Sequence, residues 1–403
     1  MRWASALSRL GDAASAFAEA AAALDRQLGG DAPDLLLAFA SPDHAAHAQR
    51  LAALARSRFP TALLAGCTGG GVIGDAHEAE GGPALSLTAA ALPDVTLSPF
   101  HLDMTSLPPP DAVEAWRRAV GLAPEAQPKL LLLADPFTMD PRALVAGLDR
   151  AYPGAPKFGG LASGGGRAGE NRLLLGGEVL RSGAVGIAFS GDLAVDTVIA
   201  QGCRPIGLPM IVTRCRGGVL EQLDRRRPVA VLEELYGTMD ARDRELMQHS
   251  LFLGLEMLSD RVEHEPGELL VRNILGADEA SGALVVGAEL EPMSVVQFVL
   301  RDAHAAEQDL TRLLDRHRRS APAARPEGAL LFSCVGRGAG LFGTPDHDTA
   351  LFEEKLGPAP LGGFFCNGEI GPVGGTTFLH GYTSAFALFR RAEPPAPAGH
   401  GRR

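Results

Sequence analysis

The sequence predicts an α/β fold of two domains, built from repeated strand–helix–strand–glycine-turn units with mixed sheets. Three observations carry this expectation. The chain has 403 residues, more than one ordinary core accommodates. Apolar residues make up 46% and charged residues 21%, a globular balance. One order of parts also occurs three times: an apolar run, a proline-marked helix start, an amphipathic stripe, a second apolar run and a cluster of small residues.

The first unit runs from Leu35 to Asp75. "LLLAFA" is a continuous apolar run, the mark of a buried strand. Ser41-Pro42-Asp43 supplies a capping hydroxyl, a proline at the first helical position and an acid in the first turn. Ala48, Leu51, Ala52 and Ala55 give the helical stripe. "TALLAG" is the second strand, ending in Cys67-Thr68-Gly69-Gly70-Gly71. The second unit repeats the order with "KLLLLA", the cap Asp140-Pro141, the stripe Leu144, Val145, Leu148 and Tyr152, and "APKFGG" leading to Ser163-Gly164-Gly165-Gly166. The third has "ALLFSC", Thr344-Pro345-Asp346, Phe352 with Leu356, and "APLGGFF" before Cys366-Asn367-Gly368-Glu369. Each is followed by a further apolar segment: "PALSLTAAAL", "SGAVGIAFSG" and "TTFLHGYTSAFALF".

The glycines are not a phosphate loop. A dinucleotide or P-loop motif sets a helix directly after its glycines, and here a strand follows. The lysines are Lys129, Lys157 and Lys355, and none follows a glycine. No nucleotide cofactor is therefore expected. A strand–helix–strand unit is almost always a right-handed parallel crossover, so both its strands end at one sheet edge, where ligands of open α/β sheets bind. Clefts are expected at Ser41 with Thr68, at Pro136–Met139 with Ser163, and at Gly336–Phe342 with Cys366. Glycines there let backbone N–H groups approach an anion.

A formal charge of −11 argues against a nucleic-acid partner. Arg225-Arg226-Arg227-Pro228, the densest basic run, reads as a linker and inter-domain joint. The five cysteines, Cys67, Cys203, Cys215, Cys334 and Cys366, form no C-x-x-C pair, which suits free thiols in a cytoplasmic setting and no zinc site. Trp3, Leu7, Leu10, Ala14 and Phe17 recur at steps of three and four, predicting an amphipathic helix within residues 1–30 that packs on the body and not on a membrane. Further on, "VAVLEELYG" reads as a helix, and "ELLVRNIL", "GALVVGAEL" and "SVVQFVLR" as three strands. Asp302 caps a helix through Leu310 and Leu314, Arg318–Gly328 is a linker, and the tail 392–403 is expected to be disordered.

"GCTGGGVIGD", "FGGLASGGG", "GAVGIAFSGD" and "APLGGFFCNGEIGPVGGTTFLHGYTSAFAL" resemble the FIST sensory proteins, with a FIST N-like domain at 31–227 and a FIST C-like domain at 228–391. The resemblance implies intracellular signal transduction, with small-ligand binding of an amino-acid kind. It also implies a stand-alone sensor, since the first strand begins at Leu35.

The site residues are placed by geometry. Arg337, between Gly336 and Gly338, is read as a clamp on a ligand carboxylate, against a plain surface arginine. Glu369 is read as the receiver of a ligand amine, or as the partner of Arg337. Thr68, Gly69, Gly70, Ser163, Gly164, Gly165, Cys334, Gly338, Cys366, Asn367 and Gly368 are expected to line the cleft, with Thr68, Ser163 and Cys366 at matching places. Their hydroxyls and thiol serve a ligand or the turns themselves. Cys334 and Cys366 with His347 and His380 raise a cysteine-dependent enzyme, but Cys334 lies inside an apolar run where thiols are inert. His77, Glu78 and Glu80 read as a solvated loop, and no metal site is expected. The expectation is a binding protein, not an enzyme, for a small anionic or zwitterionic ligand, with domain closure near Pro228 or a signalling partner as output. An adaptor without metabolite is the alternative.

Overall fold

A computed structural model of the chain describes residues 1–257, 269–320 and 325–392. Part of the Arg318–Gly328 linker and the tail from Glu393 lie outside the described residues. The first repeat comprises β1 (Arg2–Ser8), α1 (Ala13–Leu28), β2 (Leu35–Ala40), α2 (Ala48–Arg58), β3 (Leu63–Thr68), the hairpin β4 (Gly71–Gly74) and β5 (His77–Ala79), and β6 (Leu85–Ala91). The second comprises β7 (Val95–Leu102), α3 (Val113–Val120), β8 (Lys129–Ala134), α4 (Pro141–Ala151), β9 (Lys157–Leu161), the hairpin β10 (Leu173–Leu175) and β11 (Glu178–Leu180), and β12 (Ala184–Gly191). The third starts with β13 (Ala194–Gln201).

An insertion follows: β14 (Cys203–Arg216), β15 (Val219–Leu223), α5 (Pro228–Thr238), α6 (Ala241–His249), β16 (Leu251–Glu256), β17 (Leu269–Asp278), β18 (Ala283–Val286) and β19 (Val295–Arg301). The third repeat then resumes with α7 (Ala303–Ser320), β20 (Gly328–Cys334), the short α8 (Ala339–Phe342), α9 (His347–Leu356), β21 (Leu361–Cys366), the hairpin β22 (Glu369–Val373) and β23 (Thr376–His380), and β24 (Thr383–Arg390).

The crossovers are parallel, as expected: β2 with β3, β8 with β9, β20 with β21. What no local signal announced is the exchange of hairpins. The sheets run β1-β6-β2-β3-β10-β11, β7-β12-β8-β9-β22-β23 and β13-β24-β20-β21-β4-β5. Each repeat hands its hairpin to the sheet of another, so the three close a ring. Close strand contact explains one glycine per repeat. A Cβ at Gly66, Gly159 or Gly363 would lie 1.8 to 1.9 Å from the carbonyl oxygen of Ala38, Leu132 or Leu331 on the neighbouring strand. The sheets pack their inner faces on a shared core that holds Phe39, Phe158, Phe189, Phe332, Phe364 and Phe389. Helices cover the outer faces through Leu24 and Leu51, Trp116 and Leu148, and Leu314 and Phe352.

The inserted strands form a closed barrel, order β14-β15-β18-β17-β16-β19, around Val212, Leu220, Leu253 and Phe298. It leaves the body at Gly202 and returns at Asp302, whose N–H donates to the Gly202 carbonyl at 3.1 Å.

Several expectations need correction. Residues 2–8 are a strand, not helix: Trp3 stacks on Phe389 with ring centroids 4.4 Å apart, and β1 pairs with β6. The helix begins only at Ala13, capped by Asp12. Ser41 opens a 3-10 turn without a side-chain cap, and its hydroxyl accepts from Ala84 N–H instead. Asp346 does not cap α9; it accepts from Glu78 N–H of the first repeat's hairpin. Asp140 and Asp302 do cap as expected. The stretch Arg225–Pro228 runs between β15 and α5.

Candidate functional site

The glycine turns gather where the repeats meet. Ser163 Oγ accepts from Gly70 N–H at 2.8 Å and donates to the Phe365 carbonyl. Ser163 N–H donates to the Thr68 carbonyl, Asn367 N–H to Leu161, and Val335 N–H to Cys366. The equivalent positions differ from the expected ones. Gly69 N–H donates to the end of β2 and Ala162 N–H to the end of β8, so Ala162, not Ser163, corresponds to Gly69. By the same register from Gly66, Gly159 and Gly363, the third member is Cys366, and Thr68 corresponds to Leu161.

Two of the three strand-end mouths are filled. Asn171, wholly buried, receives the Thr68 hydroxyl at 3.3 Å and Gly165 N–H at 2.8 Å. Its amide donates to Asp135 at 2.8 Å, and Thr138 donates to the other Asp135 oxygen. Gly69 and Gly164 pack on Phe364 and Thr68, where a Cβ would come within 3 Å. In this half of the site the turns satisfy one another.

The third mouth opens. Between body and barrel lies a cleft of about 470 Å³. Cys334, Val335, Gly336, Asn367, His380 and Tyr382 form its body wall, Val271, Arg272, Asn273 and Leu275 its barrel wall, and Arg142 of α4 closes one side. Val335 is 46% exposed, although it follows a buried strand. Contacts bridge the cleft at its rim. Arg272 Nη2 donates to the Leu379 carbonyl at 3.0 Å, Tyr382 Oη donates to Asn273, and Arg142 reaches the Gly287 carbonyl at 3.4 Å. Tyr382 holds a left-handed φ of 64°, a strained setting for an aromatic residue.

The cleft is electropositive. Among its described lining residues are two arginines and no carboxylate. Burial, and then Arg142 nearby, pushes the Arg272 guanidinium down to about 10. His380 is pushed down to about 4, mainly by burial, and is therefore neutral near pH 7. Its Nε2 faces the Gly371 carbonyl at 3.0 Å, so Nε2 carries the proton and Nδ1 an unshared lone pair without a protein partner. Burial pushes the Cys334 thiol up to about 12, with Glu369 adding to the shift. Cys366, fully enclosed, is raised still more clearly by burial.

Arg337 and Glu369 are not placed as a ligand clamp. Arg337 is 2% exposed and pairs bidentately with Asp348, at 2.8 and 2.9 Å, while its guanidinium lies 5.2 Å from the Phe342 ring. Burial opposes ionisation of Asp348, but the guanidinium outweighs it and holds the carboxyl well below its usual range. Glu369 is wholly buried; it accepts from Thr383 and from the Cys366 thiol, and burial raises it to about 7. Glu78 is not solvated either. It accepts from Thr349 N–H at 3.1 Å, and burial, with Asp348 next, raises it to about 8. Gly338 packs against Glu80, which caps Ala339 N–H.

Sequence reasoning missed Arg142, Arg272, Asn273 and Tyr382. Arg142 sits one turn beyond an expected mouth, directly after the cap Asp140-Pro141, and that position was its available signal. Arg272 is a charged residue inside an apolar strand run, the other available signal.

Fold and cleft together define an α/β protein of three strand-exchanging repeats with an inserted barrel and a cationic hollow between the two. The chain belongs to the FIST family: the FIST N domain matches residues 34–226 and the FIST C domain residues 228–372. FIST domains are associated with sensory signal transduction. An uncharacterized protein of Mycobacterium tuberculosis is 38% identical over 96% of this chain and 100% of its own length. One of Mycobacterium bovis is 35% identical over 94% of this chain and 96% of its own. An F-box/LRR-repeat protein of Arabidopsis thaliana is 29% identical over 44% of this chain and 36% of its own. Among solved structures, a cyanuric acid hydrolase from A. caulinodans covers 97% of this chain and all of its own at a TM-score of 0.37 and 9% identity, too distant to carry an argument. Among the described residues, no helix is long and apolar enough to cross a membrane.

Proposed function

We propose that this chain is a sensory protein that holds a small anionic ligand in the cleft between body and barrel. The observation that carries the reading is the cleft itself: one arginine from the body and one from the barrel, no carboxylate among the described lining residues, and an exposed Val335. Its volume of about 470 Å³ suits a small metabolite. The ligand touches both parts, so its binding favours one setting of barrel against body. The joints for such movement are Gly202 and Asp302, where the barrel joins the body, in place of Pro228.

Binding without turnover fits the groups present. The Cys334 thiol stays protonated near pH 7 and His380 is neutral with its proton directed at a carbonyl, so this pair is not an activated nucleophile. The cytoplasmic setting belongs to this same reading, since unpaired thiols suit a reducing compartment. A signalling partner remains the second output. Leu208 and Met293, 79% and 71% exposed on the barrel, are the residues such a partner would cover.

The test is a thermal-shift screen of amino acids and small carboxylates. Concentration-dependent stabilisation is expected, and Val335→Trp, which fills the cleft, is expected to abolish it without lowering the melting temperature. A shift that survives Val335→Trp would place the ligand elsewhere.

A further inference from the structure

We infer that the ligand is a dicarboxylate, read by Arg142 from the body and by Arg272 from the barrel. This rests on the cleft being the ligand site. The amino-acid expectation needs an anionic group for the ligand's ammonium, and Glu369 was the candidate. Glu369 is wholly buried, spent on Thr383 and Cys366, and is not part of the cleft lining. Glu369 acts on Arg272 from behind the wall, so a zwitterion would leave its cation facing Arg142 and Arg272 with no carboxylate among the described lining residues.

A monoanion answers only one arginine. Arg142 and Arg272 sit close enough to repel each other, and neither makes an ion pair with a described carboxylate. Their donated hydrogen bonds go to the neutral carbonyls of Gly287, Val271 and Leu379. Two carboxylates, one toward each guanidinium, neutralise the pair and replace the long Arg142 bond of 3.4 Å with a charge-assisted one. The same cleft is lined by Val271, Leu275, Val335 and Leu379, which accept a hydrocarbon spacer. That apolar middle separates a dicarboxylate from inorganic phosphate, which has the charge but no spacer.

The test titrates the full chain with succinate, butyrate and inorganic phosphate, following heat by calorimetry. Succinate is expected to bind at least about tenfold tighter than butyrate, the loss expected when one charge-assisted contact is missing. Arg142→Gln is expected to bring succinate down to the butyrate level. Arg142 gives up a single long hydrogen bond in that change, so the variant is informative even if Arg272→Gln fails to fold. In the Arg272→Gln, Arg142→Gln double variant the losses should fall short of additive, because both residues hold one ligand. Equal binding of succinate and butyrate, equal binding of phosphate, or an unchanged Arg142→Gln overturns the inference. An amino acid or monocarboxylate that binds best and is lost in Val335→Trp leaves the cleft reading standing and removes the dicarboxylate. If no compound in either screen gives a signal that Val335→Trp removes, the cleft reading itself falls.

Discussion

The mouth above Thr68 and Ser163 and the mouth above Cys334 and Asn367 stand on equivalent parallel crossovers of different repeats. At the first, Asn171 fills the space and ties Thr68, Gly165 and Asp135 together with neutral and charge-assisted hydrogen bonds. At the third, the buried polar group is Arg337, turned away onto Asp348, and the strand ends face a barrel across open space. The difference teaches where sites arise in a repeated fold. Repetition supplies the shelf, and the hollow forms where one repeat carries an insertion that the others lack.

The comparison can be broken at its strongest point first. Arg337→Met leaves Asp348 as a buried charge with only His347 beside it and is expected to cost about 3–5 kcal/mol in urea denaturation. Arg337→Met with Asp348→Leu should recover most of that. A single-variant loss under about 1 kcal/mol would show that the third mouth does not lean on this pair.

Two of the lent hairpins should respond to pH, the first repeat's through Glu78 and the third repeat's through Glu369. Glu78 and Glu369 have folded pKa values near 8 and 7, raised above the unfolded range by burial. Their contribution to stability is fully present below the unfolded value of about 4.3 and is lost as pH rises through the folded values. Stability should therefore fall between about pH 4.5 and 8, by an amount on the order of a few kcal/mol. Glu78→Gln should remove the larger part of that slope. A flat profile in the parent chain would refute the assignment.

Asn171→Ala should cost about 1–3 kcal/mol through the unpaired Asp135 and Thr68 groups it leaves. Ligand-induced stabilisation should persist, and its loss would mean that the two mouths are not independent. The smallest expected effect on stability, within about 1 kcal/mol, belongs to Gly336→Ala. Its Cβ would stand 2.7 Å from Arg301 Nη1, the movable end of a long side chain, and would narrow the cleft. Weaker binding with an unchanged melting temperature is the result to look for.

Much of the body was legible because its signals are local. The runs at 35–40, 129–134 and 329–334 are buried strands, and Asp140 and Asp302 cap their helices. The convergence of the turns was legible too, since parallel crossovers put their strand ends on one edge. Trp3 misled because spacings of three and four in a small-residue segment also fit a strand buried on most of its length. The hairpin exchange was hidden because a hairpin's sequence specifies its turn and not the sheet edge it joins. Arg337 was correctly singled out and wrongly assigned: Asp348, eleven residues on, meets it only after α8 and α9 fold back. Arg142 and Arg272 lie far apart in sequence and become neighbours only when the barrel docks.

Gly202 and Asp302 touch through a single main-chain bond, so the whole barrel is topologically a loop on the body. The three sheets find their register whatever the insert contains, because its ends are already together. A cassette attached in this way can lengthen, shrink or be exchanged without re-pairing a strand of the body. The arginine facing Arg142 would then change with the cassette, and ligand choice could diversify while the scaffold stayed fixed.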